Sequence, residues 1–240
     1  MRTVLVTGGG SGIGRAIAAR FVADGHAVTI LGRRREPLES AAADIGAKAV
    51  SCDVSDPGAL AAALPSLPES VDVVVNNAGS NTDFDGPDLT AGDLHGLSAA
   101  WQANLRSNLL TAVLFTQAVR PRLADADARV VTIGSIAART GAGSYGAAKA
   151  AVEAWTISLA ASLGGRGTAN VVAPGFIDGT DYFRGRLSAA RHERLVGNTY
   201  VKRAGAPEDV ADTVAWLASP GARHVTGQVV HVNGGAYLGR

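Results

Sequence analysis

Short apolar runs alternate with helix-like segments along most of the chain. Seven valine-rich runs predict strands: Thr3–Val6, Ala27–Leu31, Ala47–Ser51, Val71–Asn76, Arg129–Ile133, Ala169–Ala173 and Gln228–Val232. Six segments have helical spacing: Arg15–Val22, Glu36–Ile45, Pro57–Leu64, Trp101–Leu123, Ser144–Leu163 and Pro207–Ala218. The runs mostly lack polar alternation, as expected of strands that helices cover on both faces. The pattern predicts one α/β domain over residues 1–240, with a doubly wound parallel sheet.

Composition and charge narrow the classes of protein that fit this pattern. Hydrophobic residues make up 47% of the 240 residues and charged residues 18%, which predicts a compact globular protein. A formal net charge of +1, with basic residues spread along the chain, argues against a nucleic-acid binder. Cys52 is the one cysteine, so no internal disulfide is possible and the cytoplasm is the expected location. We expect no signal peptide, no membrane contact and no metal site.

A glycine-rich turn separates the first predicted strand from the first helix. Its sequence, Thr7-Gly8-Gly9-Gly10-Ser11-Gly12-Ile13-Gly14, has the spacing G-x-x-x-G-x-G. Glycine has no Cβ, so its backbone can lie against a pyrophosphate, whose charge suits a helix N-terminus. Taken alone, the turn is equally compatible with an ordinary loop. The cofactor-binding candidates here are Gly8, Gly10, Ser11, Gly12, Ile13 and Gly14.

In a doubly wound sheet, ligands bind beyond the carboxyl ends of the strands. Arg33 and Arg34 follow the second strand, where an acid suits a free ribose 2′-hydroxyl and an arginine suits a 2′-phosphate. A solvated basic turn is the alternative, but the glycine turn favours NADP(H) over NAD(H). Asp53, with Val54 beside it, could accept from the adenine amino group. The adenosine side could be lined by Asn76, Asn77, Ala78 and Gly79.

Candidate catalytic residues follow the fifth strand. Ser135 ends that strand, and Tyr145 and Lys149 stand four residues apart on one face of the next helix. A tyrosine pKa near ~10 is too high for easy proton exchange at neutral pH. An ammonium group beside the phenol is expected to lower that pKa. Ser135 is expected to hydrogen-bond the substrate oxygen.

These residues together resemble the short-chain dehydrogenase/reductase family. Its signatures match Thr7-Gly8-x-x-x-Gly12-Ile13-Gly14, Asn76-Asn77-Ala78-Gly79, Tyr145-x-x-x-Lys149 and Pro174-Gly175 in order and approximate spacing. The resemblance covers essentially the whole chain and is nearest to the 3-oxoacyl-carrier-protein reductase branch. It implies a single-domain Rossmann-type fold with seven parallel strands. It also implies hydride transfer between a nicotinamide and a carbonyl or alcohol carbon.

The resemblance also implies residue roles. Tyr145 would be the general acid in reduction, Ser135 would position the carbonyl, and Lys149 would bind the nicotinamide ribose. A fourth member, an asparagine that supports a proton relay, is assigned to Asn108, with Asn104 as the alternative. Further cofactor contacts are expected from Pro174, Gly175, Ile177 and Thr180.

The resemblance carries two larger expectations, and this chain shows two departures from the family pattern. Residues 178–200 would close over the substrate, with Gly179 and Gly185 as hinges, and the protein would form a homotetramer or homodimer. The connection from Ser135 to Tyr145 is shorter than in many members. The stretch from Ser80 to Ala100 is longer, and no role is assigned to its acids, Asp83, Asp85, Asp88 and Asp93.

Two questions stay open at this stage. The acidic stretch Ala124–Ala128 lies where reductases of carrier-bound substrates tend to be basic, so a free small ketone or alcohol is as plausible as an acylated carrier. An NAD-dependent alcohol dehydrogenase is an alternative on the same site. A non-catalytic cofactor sensor is disfavoured, because Tyr145 and Lys149 are both present.

Arg33→Asp tests the cofactor preference. One charge-assisted hydrogen bond is worth roughly 1.5–3 kcal/mol, so the wild type should prefer NADPH over NADH by about 10- to 150-fold. The variant should weaken NADPH and favour NADH in relative terms, because it replaces a phosphate partner with a carboxylate. Dissociation constants for both cofactors measure this. Equal wild-type use of both cofactors, or an unchanged ratio in the variant, would reduce Arg33 to a solvated turn residue.

Overall fold

The computed structural model describes residues 1–84, 92–183 and 185–239, and its strands form one parallel sheet. The strands are β1 (Thr3–Thr7), β2 (Ala27–Gly32), β3 (Lys48–Ser51), β4 (Val73–Asn76), β5 (Ala128–Ile133), β6 (Gly167–Pro174) and β7 (Val229–Val232). Their order is β3-β2-β1-β4-β5-β6-β7, and every pairing is parallel. The strand order changes direction between β1 and β4, as in a doubly wound Rossmann sheet. The predicted fold class is confirmed.

The helices connect successive strands. They are α1 (Gly12–Ala23), α2 (Arg35–Ile45), α3 (Pro57–Ala63), α4 (Leu94–Asn104), α5 (Thr111–Val119), α6 (Ala137–Thr140), α7 (Gly143–Leu163), α8 (Ala189–Gly197) and α9 (Pro207–Ala218). The helix predicted over 101–123 begins earlier, at Leu94, and a π-helical turn, Leu105–Leu110, interrupts it. The short helix α6 and the amphipathic helix α8 were not predicted.

Two apolar clusters hold the helices against opposite faces of the sheet. Val4 and Val6 of β1 pack in the cluster with α1, α2 and α9, whereas Leu5 packs in the cluster with α3, α5 and α7. Successive side chains of a strand point to opposite faces, so a strand buried on both faces needs an unbroken apolar run. This is why the predicted strands lack polar alternation.

Several boundaries differ locally from the prediction. β4 begins at Val73, because Val71 forms only an isolated bridge with Leu123. The N-cap of α3 is Asp56, whose carboxylate accepts from the backbone N–H of Ala59 at 2.7 Å.

Three residues that the sequence analysis named, Asp85, Asp88 and Arg184, lie outside the described residues. No helix within the described ranges combines the length and apolarity that crossing a membrane requires.

Candidate active site

A cleft of about 1200 Å³ crosses the carboxyl ends of the strands. Apart from Asn76 and Asn108, all the residues predicted to bind cofactor or to act in catalysis line it: Gly8, Gly10, Ser11, Gly12, Ile13, Gly14, Arg33, Arg34, Asp53, Val54, Asn77, Ala78, Gly79, Ser135, Tyr145, Lys149, Pro174, Gly175, Ile177 and Thr180. Asn76 does not, contrary to expectation. Its side chain is buried and donates to the hydroxyls of Thr116 and Thr132, because β4 turns it toward the interior.

The glycine turn has the geometry of an anion cradle. Gly8 and Gly12 have φ angles of 67° and 51°, in the left-handed region that favours glycine. A Cβ on Gly14 would lie 2.2 Å from the carbonyl oxygen of Gly8, so a side chain would push the turn open. Ser11 caps α1 without a side-chain hydrogen bond, and the first turn of α1 has no acid. The first N–H groups of α1 are therefore available to a phosphate.

Asn77 fixes this turn to the end of β4. Its side-chain amide donates to the carbonyl oxygens of Thr7 and Gly8, at 3.0 and 3.1 Å. The Thr7 hydroxyl in return accepts from the backbone N–H groups of Asn77 and Ala78, both at 3.0 Å. The predicted cofactor residues after β1 and β4 thus form one rigid unit.

The end of the cleft that is predicted to bind adenosine has more positive charge than the sequence indicated. Arg33 and Arg34 lie at its rim as expected. Arg106, from the π-helical turn, also lines the cleft and donates through Nε to the Ser55 hydroxyl at 3.3 Å. Burial raises the pKa of the Asp53 carboxyl. Hydrogen bonds from Ser55 and the charges of Arg33 and Arg106 together outweigh burial, so the pKa lies below its usual value. Sequence reasoning missed Arg106 because only the fold brings residues 53–55 and 106 together.

Ser135, Tyr145 and Tyr182 lie close together at the end of the cleft where catalysis is predicted. Tyr145 is buried in α7, and its ring centre is 5.9 Å from that of Tyr182. Burial raises the pKa of Tyr145 far above its usual value, Tyr182 raises it further, and Ser135 lowers it. The lowered pKa expected from the sequence is therefore wrong for this structure. Tyr145 is protonated at neutral pH, the form from which a proton can be donated.

Lys149 lies one helical turn below Tyr145. Its Nζ is 5.8 Å from the centre of the Tyr145 ring and donates to the carbonyl oxygen of Ile133 at 2.8 Å. Burial lowers the pKa of Lys149 to about 8. The lysine therefore lies close to the phenol without bonding to its hydroxyl.

Asn108 and Asn104 are both buried but make different contacts. The Asn104 side chain accepts from Thr82 N at 3.1 Å and donates to Asp83 and Ser144, at 2.7 and 2.8 Å. It ties the segment before α4 to the start of α7. The Asn108 side chain donates to the carbonyl oxygen of Ser80 at 2.8 Å, whereas its Oδ1 is buried with no hydrogen-bond partner among the described residues. These contacts favour Asn108 for the relay and give Asn104 a structural role.

The predicted substrate-covering segment forms one wall of the cleft. Thr180 lies over the glycine turn, 3.6 Å from where a Cβ of Gly12 would be. Tyr182, Phe183, Arg191 and Leu195 line the wall beyond it. Gly179 and Gly185, the expected hinges, have φ angles of 68° and 74°.

The fold and this site together define a nucleotide-dependent oxidoreductase. A family model described as enoyl-(acyl carrier protein) reductase matches residues 8–237. The chain is 34% identical to the 3-oxoacyl-[acyl-carrier-protein] reductase FabG of Escherichia coli, covering 99% of this chain and 98% of that protein. It is 36% identical to the 3-oxoacyl-[acyl-carrier-protein] reductase MabA of Mycobacterium bovis, covering 99% and 94%.

Solved structures agree with these sequence relatives. A short-chain dehydrogenase of Burkholderia cenocepacia, in complex with NADP, superposes with a TM-score of 0.83 at 34% identity, covering 98% of this chain and 97% of the other. The chain belongs to the short-chain dehydrogenase/reductase family.

The pKa of Lys149 gives a prediction for the pH dependence of the enzyme. A lysine whose folded pKa is lowered to about 8 is charged below that pH and loses its charge as the pH rises through it. The value of kcat/KM for NADPH, which reports groups of the free enzyme, should therefore fall above about pH 8. Lys149→Arg keeps the charge and should move this decline to higher pH, at a reduced rate. An unchanged decline in the arginine variant would show that another group titrates.

Proposed function

We propose that the protein is an NADP(H)-dependent carbonyl reductase that acts on a ketone or a 3-oxoacyl compound. The observation that carries the proposal is the cleft itself. It joins an anion cradle at α1 to a protonated, buried Tyr145, with Ser135 lining the same cleft. The relatives named as 3-oxoacyl reductases, and the neighbour described with NADP, support it.

The residues present fit NADP(H). The glycine turn would hold the pyrophosphate, because a Cβ at Gly14 has no space and the N–H groups of α1 are free. Arg33 and Arg34 would hold the 2′-phosphate, and Asp53 would accept from the adenine. When bound, the reduced nicotinamide supplies the hydride. Lys149, Pro174, Gly175, Ile177 and Thr180 would surround that end.

The chemistry of this chain's own residues is proton transfer to the substrate oxygen. Ser135 and Tyr145 present two hydroxyls to one carbonyl oxygen, and Tyr145 donates its proton as the alcohol forms. The positive charge of Lys149, 5.8 Å from the ring centre, stabilises the phenolate that is left. The Oδ1 of Asn108 has no hydrogen-bond partner in the part of the chain that the structure describes, which supports its place in the relay that restores the proton.

Two alternatives receive less support. NAD-dependent alcohol oxidation needs an acid after β2, where this chain has Arg33. Enoyl reduction, which the family model's description names, places hydride and proton on a carbon–carbon double bond. The adjoining hydroxyls of Ser135 and Tyr145 fit protonation of a carbonyl oxygen instead.

A turnover panel with Tyr145→Phe tests this function. The wild type with NADPH should reduce ketones and 3-oxoesters and should leave a crotonyl thioester unchanged. Tyr145→Phe should lower kcat by at least ~100-fold, the typical loss of a general acid. NADPH binding should persist, which separates the loss of chemistry from misfolding. A rate close to that of the wild type would reject Tyr145 as the acid, and reduction of the crotonyl thioester alone would reject carbonyl reduction.

We also propose a homotetramer or homodimer, in the cytoplasm. Three large apolar side chains of α4, Leu94, Leu97 and Trp101, are 73%, 44% and 42% exposed, and Ile157 of α7 is 59% exposed. Apolar groups this exposed on neighbouring helices are typical of an interface. Light scattering should give a multiple of the 24.3 kDa chain, and Ile157→Asp should reduce it. A monomeric wild type would contradict the proposal.

Residues 178–200 are proposed as a lid. The positive φ angles of Gly179 and Gly185 and the exposure of much of α8 support a segment that moves. Amide exchange without ligand should be faster in α8 than in the sheet, and NADPH with a ketone should slow it. Equal protection in both would contradict a lid.

A further inference from the structure

A basic side chain lies on the wall of the cleft that belongs to the proposed lid. Arg191 of α8 lines the cleft, and so does Leu195, four residues further along the helix. Residues four apart share one face of a helix, so α8 turns this face toward the cleft. Arg186 and Arg194, the other arginines of the lid that the structure describes, do not line it. The proton transfer proposed above does not involve Arg191.

An aromatic ring holds the guanidinium of Arg191 in place. Its Cζ lies over the Phe183 ring, 5.0 Å from the ring centre, in a cation–π contact. Phe183 in turn packs edge to face on Phe176, with ring centres 5.9 Å apart. The backbone N–H of Arg191 donates to the Ser188 hydroxyl at 3.3 Å, which fixes the start of α8. A contact with a ring face leaves the N–H donors of a guanidinium available to another partner.

A row of rings connects this guanidinium to the predicted general acid. Phe183 meets Tyr182 with ring centres 4.9 Å apart, and Tyr182 meets Tyr145 at 5.9 Å. Phe176, Tyr182 and Phe183 all line the cleft. The wall therefore has an aromatic stretch with the proton donor Tyr145 at one end and the charge of Arg191 at the other. A hydrocarbon chain suits the stretch between them.

The charge of Arg191 has no acid opposite it among the side chains that the structure describes. Asp53, at the end predicted to bind adenosine, is the one described acid in the cleft lining. No described carboxylate forms an ion pair with Arg191. Asp178, which belongs to the same segment, instead pairs with His192 at 3.3 Å. An anionic group of a bound molecule would supply the missing partner.

We propose that Arg191 binds a carboxylate of the substrate, so that the site selects oxo acids whose carbon chain crosses the aromatic stretch. This inference rests on the proposed carbonyl reduction. Tyr145 protonates the carbonyl oxygen at one end of the molecule, and Arg191 donates to the carboxylate at the other. The planar guanidinium can bond to both oxygens of a carboxylate at once. Neutral ketones remain substrates, because Arg191 acts on a group distant from the reacting atoms.

A cycle of two enzymes and matched substrates tests this role. Wild type and Arg191→Gln are each assayed for kcat/KM with NADPH on 5-oxohexanoate, 7-oxooctanoate and their methyl esters, which have the same ketone without the charge. Differences in intrinsic reactivity act in both enzymes and cancel from the ratio. For at least one chain length, the substitution should lower kcat/KM for the acid about 5- to 12-fold more than for the ester. This range lies between an exposed ion pair and a charge-assisted hydrogen bond.

The control variants separate a local contact from a change in overall charge or in folding. Arg194→Gln removes the same charge from the same helix, outside the cleft lining, and should leave the acid-to-ester ratio unchanged. Arg191→Lys keeps the charge and should retain more of the preference for the acid than Arg191→Gln. Arg191 is exposed, so neither of its variants should disturb the fold. NADPH affinity, followed by fluorescence, should equal that of the wild type in all three variants.

Three results would overturn the inference while leaving carbonyl reduction intact. An acid-to-ester ratio that Arg191→Gln does not change would mean that Arg191 meets no carboxylate. Weaker NADPH binding in that variant would assign the guanidinium to the cofactor. A loss confined to acetoacetyl-4′-phosphopantetheine, measured against acetoacetyl-pantetheine, would assign it to the phosphate of a thioester arm. A wild type that binds NADPH but reduces no ketone, charged or neutral, would instead overturn the proposed function itself.

Discussion

The site depends on the hydrogen bonds that connect the end of β1 to the residues after β4. These two central strands carry their following helices to opposite faces of the sheet, so a crevice opens between their ends. The Asn77 amide bridges it by bonding to the carbonyl oxygens of Thr7 and Gly8. The absence of a Cβ at Gly14 lets the turn approach that amide. The anion cradle is therefore held in place by hydrogen bonds within the protein, independently of any ligand.

Burial sets the chemistry at the other end of the cleft. The same low-dielectric surroundings raise the pKa of Tyr145 and lower that of Lys149, in both cases by disfavouring the charged form. Tyr145 is thus held as a proton donor, and Lys149 keeps its charge only below about pH 8. The two groups lie near each other without a direct hydrogen bond, so a developing phenolate would strengthen their interaction. A protonated Tyr145 fits the carbonyl reduction that we propose.

The two ends of the cleft differ in how the protein builds them. The nucleotide end is made from turns that follow β1 to β4, stiffened by hydrogen bonds to the sheet. The substrate end is made partly from the segment after Gly175, which contributes Tyr182, Phe183 and Leu195. Because this wall comes from a different segment than the glycine turn, substitutions in it can change the substrate preference without altering the nucleotide site.

The sequence alone predicted the seven parallel strands and the glycine turn, and it placed Arg33, Ser135, Tyr145 and Lys149 in the cleft where the structure has them. These depend on local signals: apolar runs, glycine spacing, and residues that directly follow a strand. The tertiary structure decided what local signals do not contain. Arg106 reaches Asp53 from a turn some fifty residues away along the chain, and Tyr182 reaches Tyr145 only because the segment folds back over the sheet. The direction of the Tyr145 pKa shift also needed the structure, because burial, its largest cause, is a property of the packed molecule.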